Sequence, residues 1–243
     1  MDWELLGGCN WEKDMNIALI VAGGKGARMS CEIPKQFIEV KGKPILAYTL
    51  ERFEKFPFID SIYIVCLAGW EEFVRKFVRG LGFQKVQGVV PGGDTALASI
   101  QNGVDALSCG DDDIVIVHDG VRPLVDEESV RAVIDDSAEY GCAVSSIPLT
   151  EHLAYVNESR LTESYLPREN AFRTVTPQAY RYSKLISAFR KSAETGIGRN
   201  SSFIGTMMMD LGEPVCLSKG SEKNIKITHP HDLVYFRAEI GDI

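Results

Sequence analysis

The run Asn16-Ile-Ala-Leu-Ile-Val-Ala22, followed directly by Gly23-Gly24-Lys25-Gly26-Ala27-Arg28, decides the fold of this 243-residue chain. A continuous apolar run of this kind is typical of a strand that is buried on both faces of a parallel sheet. The glycines that follow allow backbone N–H groups to approach a phosphate chain closely, because no Cβ atom intervenes. The stretch therefore predicts an α/β domain whose first strand ends at a phosphate-binding turn.

Outward from this strand, apolar strand-like runs alternate with helical patterns. The further predicted strands cover residues 61–66, 86–90, 114–117, 143–147, 214–217 and 224–228. The predicted helices cover residues 45–56, 70–81, 95–107, 127–140, a segment that begins after Tyr182, and 231–240. This alternation implies βαβ units, and so a Rossmann-like α/β fold with a mostly parallel central sheet and helices on both faces.

Two segments depart from the alternation. Residues 148–175 combine short strand-like pieces with turn residues, which predicts a protruding β-arm or hairpin. The first fourteen residues, MDWELLGGCNWEKD, do not have the basic and apolar regions of a secretory signal. We expect residues 1–14 to be a disordered N-terminal extension and residues 15–243 to form one domain that includes the arm.

Composition restricts the partners and the compartment. The formal net charge is -8, which argues against a nucleic-acid partner, although local cations can still bind phosphate. The six cysteines include no CxxC pair and indicate reduced thiols in the cytosol. No apolar run approaches the roughly 18 residues of a transmembrane helix. The expectation is a cytoplasmic protein with no membrane association.

Three kinds of phosphate-binding turn fit glycines at this position to different degrees. A P-loop needs GxxxxGK[ST], which this segment does not contain. A dinucleotide-binding turn needs a third glycine where this chain has Met29, so a dehydrogenase is disfavoured. A nucleotidyltransferase turn places a cation such as Arg28 just beyond the glycines, and Pro34 directs Lys35 back toward the same turn. An ordinary surface turn remains the alternative for the glycines alone.

Several motifs together carry a resemblance to a known family. AGGKGARM (22–29), PKQF (34–37) and KGKPIL (41–46) resemble the cytidylyltransferase family that contains 2-C-methyl-D-erythritol 4-phosphate cytidylyltransferase and ribitol-5-phosphate cytidylyltransferase. Later segments match in order, namely PGGDTALASIQNG (91–103), VHDGVRP (117–123), TPQAY (176–180) and GSEKNIKIT (220–228). The resemblance implies transfer of CMP from CTP to a sugar-alcohol phosphate, with release of pyrophosphate.

The resemblance also implies roles for individual residues. Arg28, Lys35 and Lys226 would be catalytic cations, and Asp119 would bind a Mg²⁺ cofactor and the substrate. The nucleotide-binding residues would be Ala22, Gly23, Gly24, Lys25, Gly26, Gly92, Gly93, Asp94 and Ser99. Because a phosphate monoester has a second pKa near 6, the attacking group is already anionic and no general base is required. Catalysis would then come from positioning and preorganised positive charge.

The acceptor side would include Arg122, Arg168 and Thr176 in addition to Asp119. In the family the arm crosses a two-fold interface, which implies a homodimer in which Arg168 would act on the partner's site. Three of the residue roles have simpler alternatives. Without the other motifs, Pro91-Gly92-Gly93-Asp94 would be an ordinary turn and Ser99 an ordinary serine early in a helix. Asp119 would be a turn-forming residue before a glycine, and Lys226 would lie on the solvent face of the strand predicted at 224–228.

Three departures from the family pattern bear on the acceptor. They are Ala96 in place of an arginine, Glu151-His152 in place of an Asp-Thr pair, and the segment Ser201-Ser202-Phe203-Ile204 in place of an acidic one. We favour a pentitol phosphate such as ribitol 5-phosphate, used for capsule or teichoic-type polymers. The isoprenoid precursor 2-C-methyl-D-erythritol 4-phosphate and a catalytically silent nucleotide-binding homologue are the alternatives.

Overall fold

A computed structural model describes residues 14–24 and 33–241. The strands are β1 (Asn16–Ala22), β2 (Glu39–Val40), β3 (Lys43–Pro44), β4 (Ser61–Cys66), β5 (Val86–Pro91), β6 (Ile114–Asp119), β7 (Cys142–Pro148), β8 (Leu153–Val156), β9 (Thr162–Leu166), β10 (Phe172–Arg181) and β11 (Cys216–Lys219). The helices are α1 (Ile45–Lys55), α2 (Glu71–Leu81), α3 (Ala96–Asp105), α4 (Glu127–Tyr140), α5 (Tyr182–Thr195), α6 (Ile204–Asp210) and α7 (Pro230–Glu239). The extension predicted at residues 1–14 lies outside the described residues except for Asp14.

Seven strands form the central sheet in the order β11-β7-β10-β6-β1-β4-β5. β1 lies in the interior and pairs in parallel with β4 on one side and with β6 on the other. β10 is antiparallel to both of its neighbours, β6 and β7. The prediction of a mostly parallel sheet is therefore confirmed, and β10 is the strand that reverses direction.

Helices cover both faces of this sheet, as the alternation of elements predicted. Ala18 and Ile20 of β1 face a buried cluster that includes side chains of α1, α2 and α4. Leu19, between them, faces the opposite cluster, to which α3, α5 and α6 contribute. At Gly103 in α3, a Cβ atom would lie 2.6 Å from side-chain atoms of both Leu19 and Val65. The glycine thus allows α3 to approach the sheet closely.

The C-terminal part of the chain differs most from the sequence prediction. The predicted strand at 214–217 lies two residues later, as β11. The strand predicted at 224–228 is wrong, because this segment is a loop. Its alternating pattern has another cause: Ile227 is buried with Phe236 of α7, whereas Lys226 points to Asp119. The backbone of this segment makes single hydrogen bonds to different parts of the chain, such as the one from the Ile227 N–H to the backbone oxygen of Val121. It does not form the regular series of hydrogen bonds of a strand pair.

The segment 148–175 contains an exposed hairpin. β8 and β9 pair with each other in a separate two-stranded sheet. A single 3-10 turn follows at Arg168–Asn170, and β10 then begins at Phe172, inside the predicted arm. The hairpin therefore protrudes from the end of the central sheet. Within residues 14–24 and 33–241, none of the helices has the length and apolar character needed to span a membrane.

Candidate active site

A cleft of about 810 Å³ lies at the carboxyl edge of the parallel strands. Gly23 and Gly24 after β1, Gly92 after β5 and Asp119 at the end of β6 all line it. Carboxyl ends of parallel strands meet at one edge of a sheet, and open α/β folds bind ligands there. The two glycines that directly follow β1 therefore line a cavity large enough for a nucleotide-sized ligand.

Asp119 is a charged residue that lines this cleft. Its Oδ1 accepts a hydrogen bond from Lys226 Nζ at 2.9 Å, and its Oδ2 accepts one from Arg122 Nε at 2.9 Å. Burial alone would raise the pKa of this carboxyl, but the adjacent Lys226 ammonium and Arg122 guanidinium hold it well below its usual range. Asp119 is therefore a carboxylate throughout the neutral pH range.

A closed ring of hydrogen bonds joins Asp119 to two other parts of the chain. Arg122 Nη1 donates to the backbone oxygen of Asn224 at 2.7 Å, and Asn224 Nδ2 donates to the backbone oxygen of Thr176 at 2.7 Å. The Asp119 N–H donates to Thr176 Oγ1 at 3.2 Å, which closes the ring. The structure thus brings together Asp119, Arg122, Thr176 and Lys226, which the sequence singled out separately.

Lys35 reaches the same cleft from a short 3-10 turn at Lys35–Phe37. Its side chain is buried, and Nζ donates to the backbone oxygen of Ile227 at 2.9 Å. Gln36 Nε2 donates to the backbone oxygen of Ala22 at 2.7 Å, which ties this turn to the end of β1. The Phe37 ring stacks on Trp70 with 4.7 Å between centroids. The direction predicted for Lys35 from Pro34 agrees with this placement.

The opposite wall of the cleft is formed by the start of α3 and the turn before it. Ser99 Oγ accepts a hydrogen bond from the Gly93 N–H at 3.0 Å and lies 2.8 Å from the backbone oxygen of Thr95. A Cβ atom at Gly93 would lie 2.7 Å from Ala98 Cβ. Only glycine therefore fits this close approach without a shift. Asp94 also lines this wall and is exposed to solvent.

His118 directly precedes Asp119 in β6 and is completely buried. Burial lowers the pKa of His118 to about 4, so the imidazole is neutral at neutral pH. Its Nε2 lies 3.1 Å from the backbone oxygen of Arg122, and because a carbonyl oxygen can only accept, Nε2 carries the hydrogen. His118 thereby fixes the turn that presents Asp119 and Arg122.

Several sequence-predicted residues lie elsewhere. Arg168 is exposed at the base of the arm, where Nη1 donates to the backbone oxygen of Thr150 at 3.2 Å and lies 3.5 Å from His152 Nε2. It does not line the cleft of its own chain. Arg28, Lys25 and Gly26 lie outside the described residues.

Sequence reasoning missed three residues that organise the site. They are Asn224, Gln36 and His118, each of which is buried and bonded to the backbone of another cleft segment or turn. A signal was present, because polar residues inside otherwise apolar or motif segments need buried partners. The identity of those partners depends on contacts between distant parts of the chain.

The sequence matches the family IspD: 2-C-methyl-D-erythritol 4-phosphate cytidylyltransferase over residues 16–241. The chain belongs to this family. It is 44% identical over 231 residues to a ribitol-5-phosphate cytidylyltransferase of Lacticaseibacillus paracasei, covering 94% of this chain and 99% of that protein. It is 34% identical over 223 residues to a 2-C-methyl-D-erythritol 4-phosphate cytidylyltransferase of Desulforamulus reducens, covering 91% and 94%.

Solved structures of the IspD family share the fold. A crystal structure of 2-C-methyl-D-erythritol 4-phosphate cytidylyltransferase from Thermus thermophilus aligns with a TM-score of 0.72 and 28% identity, over 93% of this chain and 98% of that chain. Family membership makes the chain a cytidylyltransferase, that is, a nucleotidyltransferase, and confirms the family inferred from the ordered motifs.

Proposed function

We propose that this member of the IspD family transfers CMP from CTP to ribitol 5-phosphate and releases pyrophosphate. The observation that carries the proposal is the carboxylate of Asp119 held between Lys226 and Arg122 at the open end of β6. Lys35, Gly23 and Gly24 line the same cleft. Fixed cations around one carboxylate suit a reaction between two polyanions, because each anion needs positive charge near it.

The reaction forms one bond and breaks one bond at the α-phosphorus of CTP. An oxygen of the acceptor phosphate attacks, and the bond from the α-phosphorus to the bridging oxygen breaks, so pyrophosphate leaves with the electron pair. The acceptor phosphate is already anionic near neutral pH, since its second pKa is about 6. The chain therefore has to orient the reactants and stabilise charge, and no side chain has to remove a proton.

The residues of the cleft divide this work by position. Lys35 and the N–H groups of Gly23 and Gly24 would hold the triphosphate, together with Arg28 and its neighbours in the sequence. The turn at Gly92–Asp94 and Ser99 form the wall opposite Lys35, where cytosine would bind to backbone and hydroxyl groups. Lys226, whose side chain is one-third exposed, can turn from Asp119 toward a phosphate.

Magnesium is the cofactor we propose, with Asp119 as its protein ligand. Mg²⁺ prefers one or two carboxylates together with phosphate oxygens, and Asp119 supplies such a carboxylate. Within residues 14–24 and 33–241 there is no cluster of three His, Cys, Asp or Glu side chains, at Asp119 or elsewhere, so Asp119 would hold the metal together with phosphate oxygens. Held by Asp119, such a metal would supply positive charge that offsets the negative charge of the phosphates. Asp119 Oδ1 accepts one hydrogen bond, from Lys226 Nζ at 2.9 Å, and keeps a second lone pair that could bind the metal.

The arm supports a homodimer as the working form. Arg168 does not line the cleft of its own chain, but a planar guanidinium on a protruding arm is well suited to bind the acceptor phosphate in a partner's cleft. The hairpin also carries exposed apolar side chains that a second copy would cover. We therefore propose that each acceptor site combines Thr176 and Arg122 of one chain with Arg168 of the other.

The acceptor is the point on which two candidates differ. Ribitol 5-phosphate is favoured by the 44% identity to the Lacticaseibacillus paracasei protein over nearly its full length. 2-C-methyl-D-erythritol 4-phosphate is the second candidate, because it is named for the Desulforamulus reducens relative and for the family itself. A catalytically silent homologue is disfavoured by the paired cations that surround Asp119.

The deciding experiment measures pyrophosphate release from CTP and Mg²⁺ with each of the two acceptors in parallel. We expect release with ribitol 5-phosphate and little with 2-C-methyl-D-erythritol 4-phosphate. The opposite preference would replace the acceptor but keep the reaction. Binding of CTP with no release on either acceptor would overturn the catalytic proposal and support the silent homologue.

A further inference from the structure

The loop at residues 224–228 connects several groups of the cleft. Lys226 Nζ bonds Asp119 Oδ1, and the backbone oxygen of Ile227 accepts a hydrogen bond from Lys35 Nζ. The Ile227 N–H donates to the backbone oxygen of Val121 at 2.9 Å, which fixes this end of the loop to the turn after β6. The position of the loop therefore sets the positions of two cations at once.

Asn224 fixes the other end of this loop. The residue is 2% exposed, and it bonds through both its backbone and its side chain. Its backbone oxygen accepts from Arg122 Nη1, and its Nδ2 donates to the backbone oxygen of Thr176. Asn224 thus connects the turn after β6 to β10, two residues before Lys226.

We infer that Asn224 is a positioning residue, which sets Arg122, Thr176 and Lys226 around Asp119 and acts on the proposed reaction through them. Its Oδ1 is buried without a hydrogen-bond partner. An unpartnered buried amide oxygen costs stability, so the residue is not one that stability alone would favour. The benefit that offsets this cost is the cross-link between three segments that carry the charged groups.

The kinetic test compares Asn224→Ala with Asn224→Asp, which keeps the size but removes the Nδ2 donor. We expect kcat to fall roughly 30- to 100-fold in both, as for a small misplacement of reacting groups, with the KM for CTP within about threefold. The matched control is Ser145→Ala in β7, since Ser145 is also fully buried with an unpartnered oxygen. That control removes an unpartnered buried hydroxyl, so it should leave stability unchanged or slightly higher and should leave turnover unchanged. A kcat within about threefold of the wild type in both Asn224 variants would contradict the inference.

A double-mutant cycle separates positioning from a general loss of structure. If Asn224 acts through Lys226, then Asn224→Ala should cost far less in a Lys226→Ala background than in the wild type. Fully additive costs would show that Asn224 has no role in placing Lys226. Asn224→Asp serves in the same cycle if the alanine variant does not fold.

A second readout does not depend on turnover. Acylation of lysines followed by peptide mass spectrometry gives the reactivity of Lys226 relative to exposed Lys55. We expect Lys226 to react severalfold faster in Asn224→Asp, because its pairing with Asp119 is loosened; unchanged reactivity would count against the inference. The inference rests on the proposed function for its kinetics only. A wild type that releases no pyrophosphate would refute that function, while the labelling would still test Asn224.

Discussion

The cleft and the arm arrange polar and apolar groups in opposite ways. Around Asp119 at the cleft, polar side chains are buried and hydrogen-bonded, as the ring through Asp119, Arg122, Asn224 and Thr176 shows. On the arm, large apolar side chains are exposed, among them Leu153 at 46%, Tyr155 at 58% and Tyr165 at 74%. Buried polar groups need partners, and exposed apolar patches indicate a missing surface.

From this difference we infer that one chain completes the surroundings of Asp119, whereas the arm needs a second copy. The charges around Asp119 satisfy each other within a single chain, so the geometry of the cleft is preorganised. The β8–β9 hairpin pairs with no other strand among the described residues, and an isolated two-stranded hairpin is only marginally stable in water. We therefore expect changes in the cleft to act on turnover directly, and changes in the arm to act through assembly.

The largest expected effect is the loss of a fixed cation from the cleft. Lys35→Met should lower kcat/KM for CMP transfer by about 100- to 1000-fold, the cost of removing one preorganised charge from a site of this kind. The measurement is pyrophosphate release at saturating acceptor. Lys85→Met is the matched control, because Lys85 Nζ also donates to a backbone oxygen, that of Phe56, but outside the cleft. Equal losses in the two variants would show that the cleft is not where the charge acts.

The next largest expected effect is on the pH dependence of stability, and it comes from the buried imidazole of His118. The pKa of His118 is lowered from 6.5 to about 4, so between these values the unfolded chain binds more protons than the folded one. The free energy of unfolding should therefore fall as pH is lowered from 6.5 to 4, by roughly 3 kcal/mol in total. Urea unfolding of His118→Asn should lack this contribution. The control variant His152→Asn, which replaces an exposed histidine, should retain this contribution. If the free energy of unfolding depends on pH in the same way in the wild type and in His118→Asn, the lowered pKa of His118 is contradicted.

A smaller effect on activity is expected from the arm. Arg168→Met should lower turnover about tenfold, the value of roughly one hydrogen bond to a charged phosphate. If Arg168 acts across a dimer, mixing this variant with Lys35→Met should restore about one quarter of the activity, since half of the dimers are mixed and each has one intact site. No recovery on mixing would place Arg168 in its own chain's site or outside both.

The exposed apolar surface of the arm has its own test. Tyr165→Asp should convert a dimer to a monomer in sedimentation equilibrium, because a buried charge would replace an aromatic contact. Tyr140→Asp changes a comparably exposed tyrosine at the end of α4, away from the arm, and should leave the assembly unchanged. A wild-type protein that sediments as a monomer would contradict the proposal that the arm contributes to the site of a partner chain.

The sequence predicts the fold well because the fold depends on local pattern. The bounds of β1, β4 and α4 are those predicted, since each is a continuous apolar or helical run between clear breaks. The loop at 224–228 was mistaken for a strand because Ile225 and Ile227 alternate with Lys226 in the sequence. In the structure only Ile227 of these three is buried, and the segment is a loop. The direction of β10 and its position between β6 and β7 are likewise long-range properties.

For the candidate site, too, the sequence predicts local features and does not predict long-range contacts. Asp119, Lys35 and Lys226 could be singled out because a charged residue after a buried strand or within a family motif stands out in the sequence. The contacts that join them could not, because they connect residues far apart in the chain, such as Arg122 and Asn224. Individual site residues could thus be predicted from the sequence. The ring of hydrogen bonds that orients them could not, because it forms only in the folded chain.

The smallest effect compares two helix N-caps, one in the cleft and one outside it. Thr95 Oγ1 accepts from the Ala98 N–H at 3.0 Å at the start of α3, and Asp126 Oδ1 accepts from the Ser129 N–H at 2.7 Å at the start of α4. Replacing either by alanine should cost about 1 kcal/mol in urea unfolding. Because Thr95 lines the cleft, only its replacement should also raise the KM for CTP. Equal KM values in both variants would mean that the cleft wall tolerates a loosened helix start, and that preorganisation is confined to the groups around Asp119.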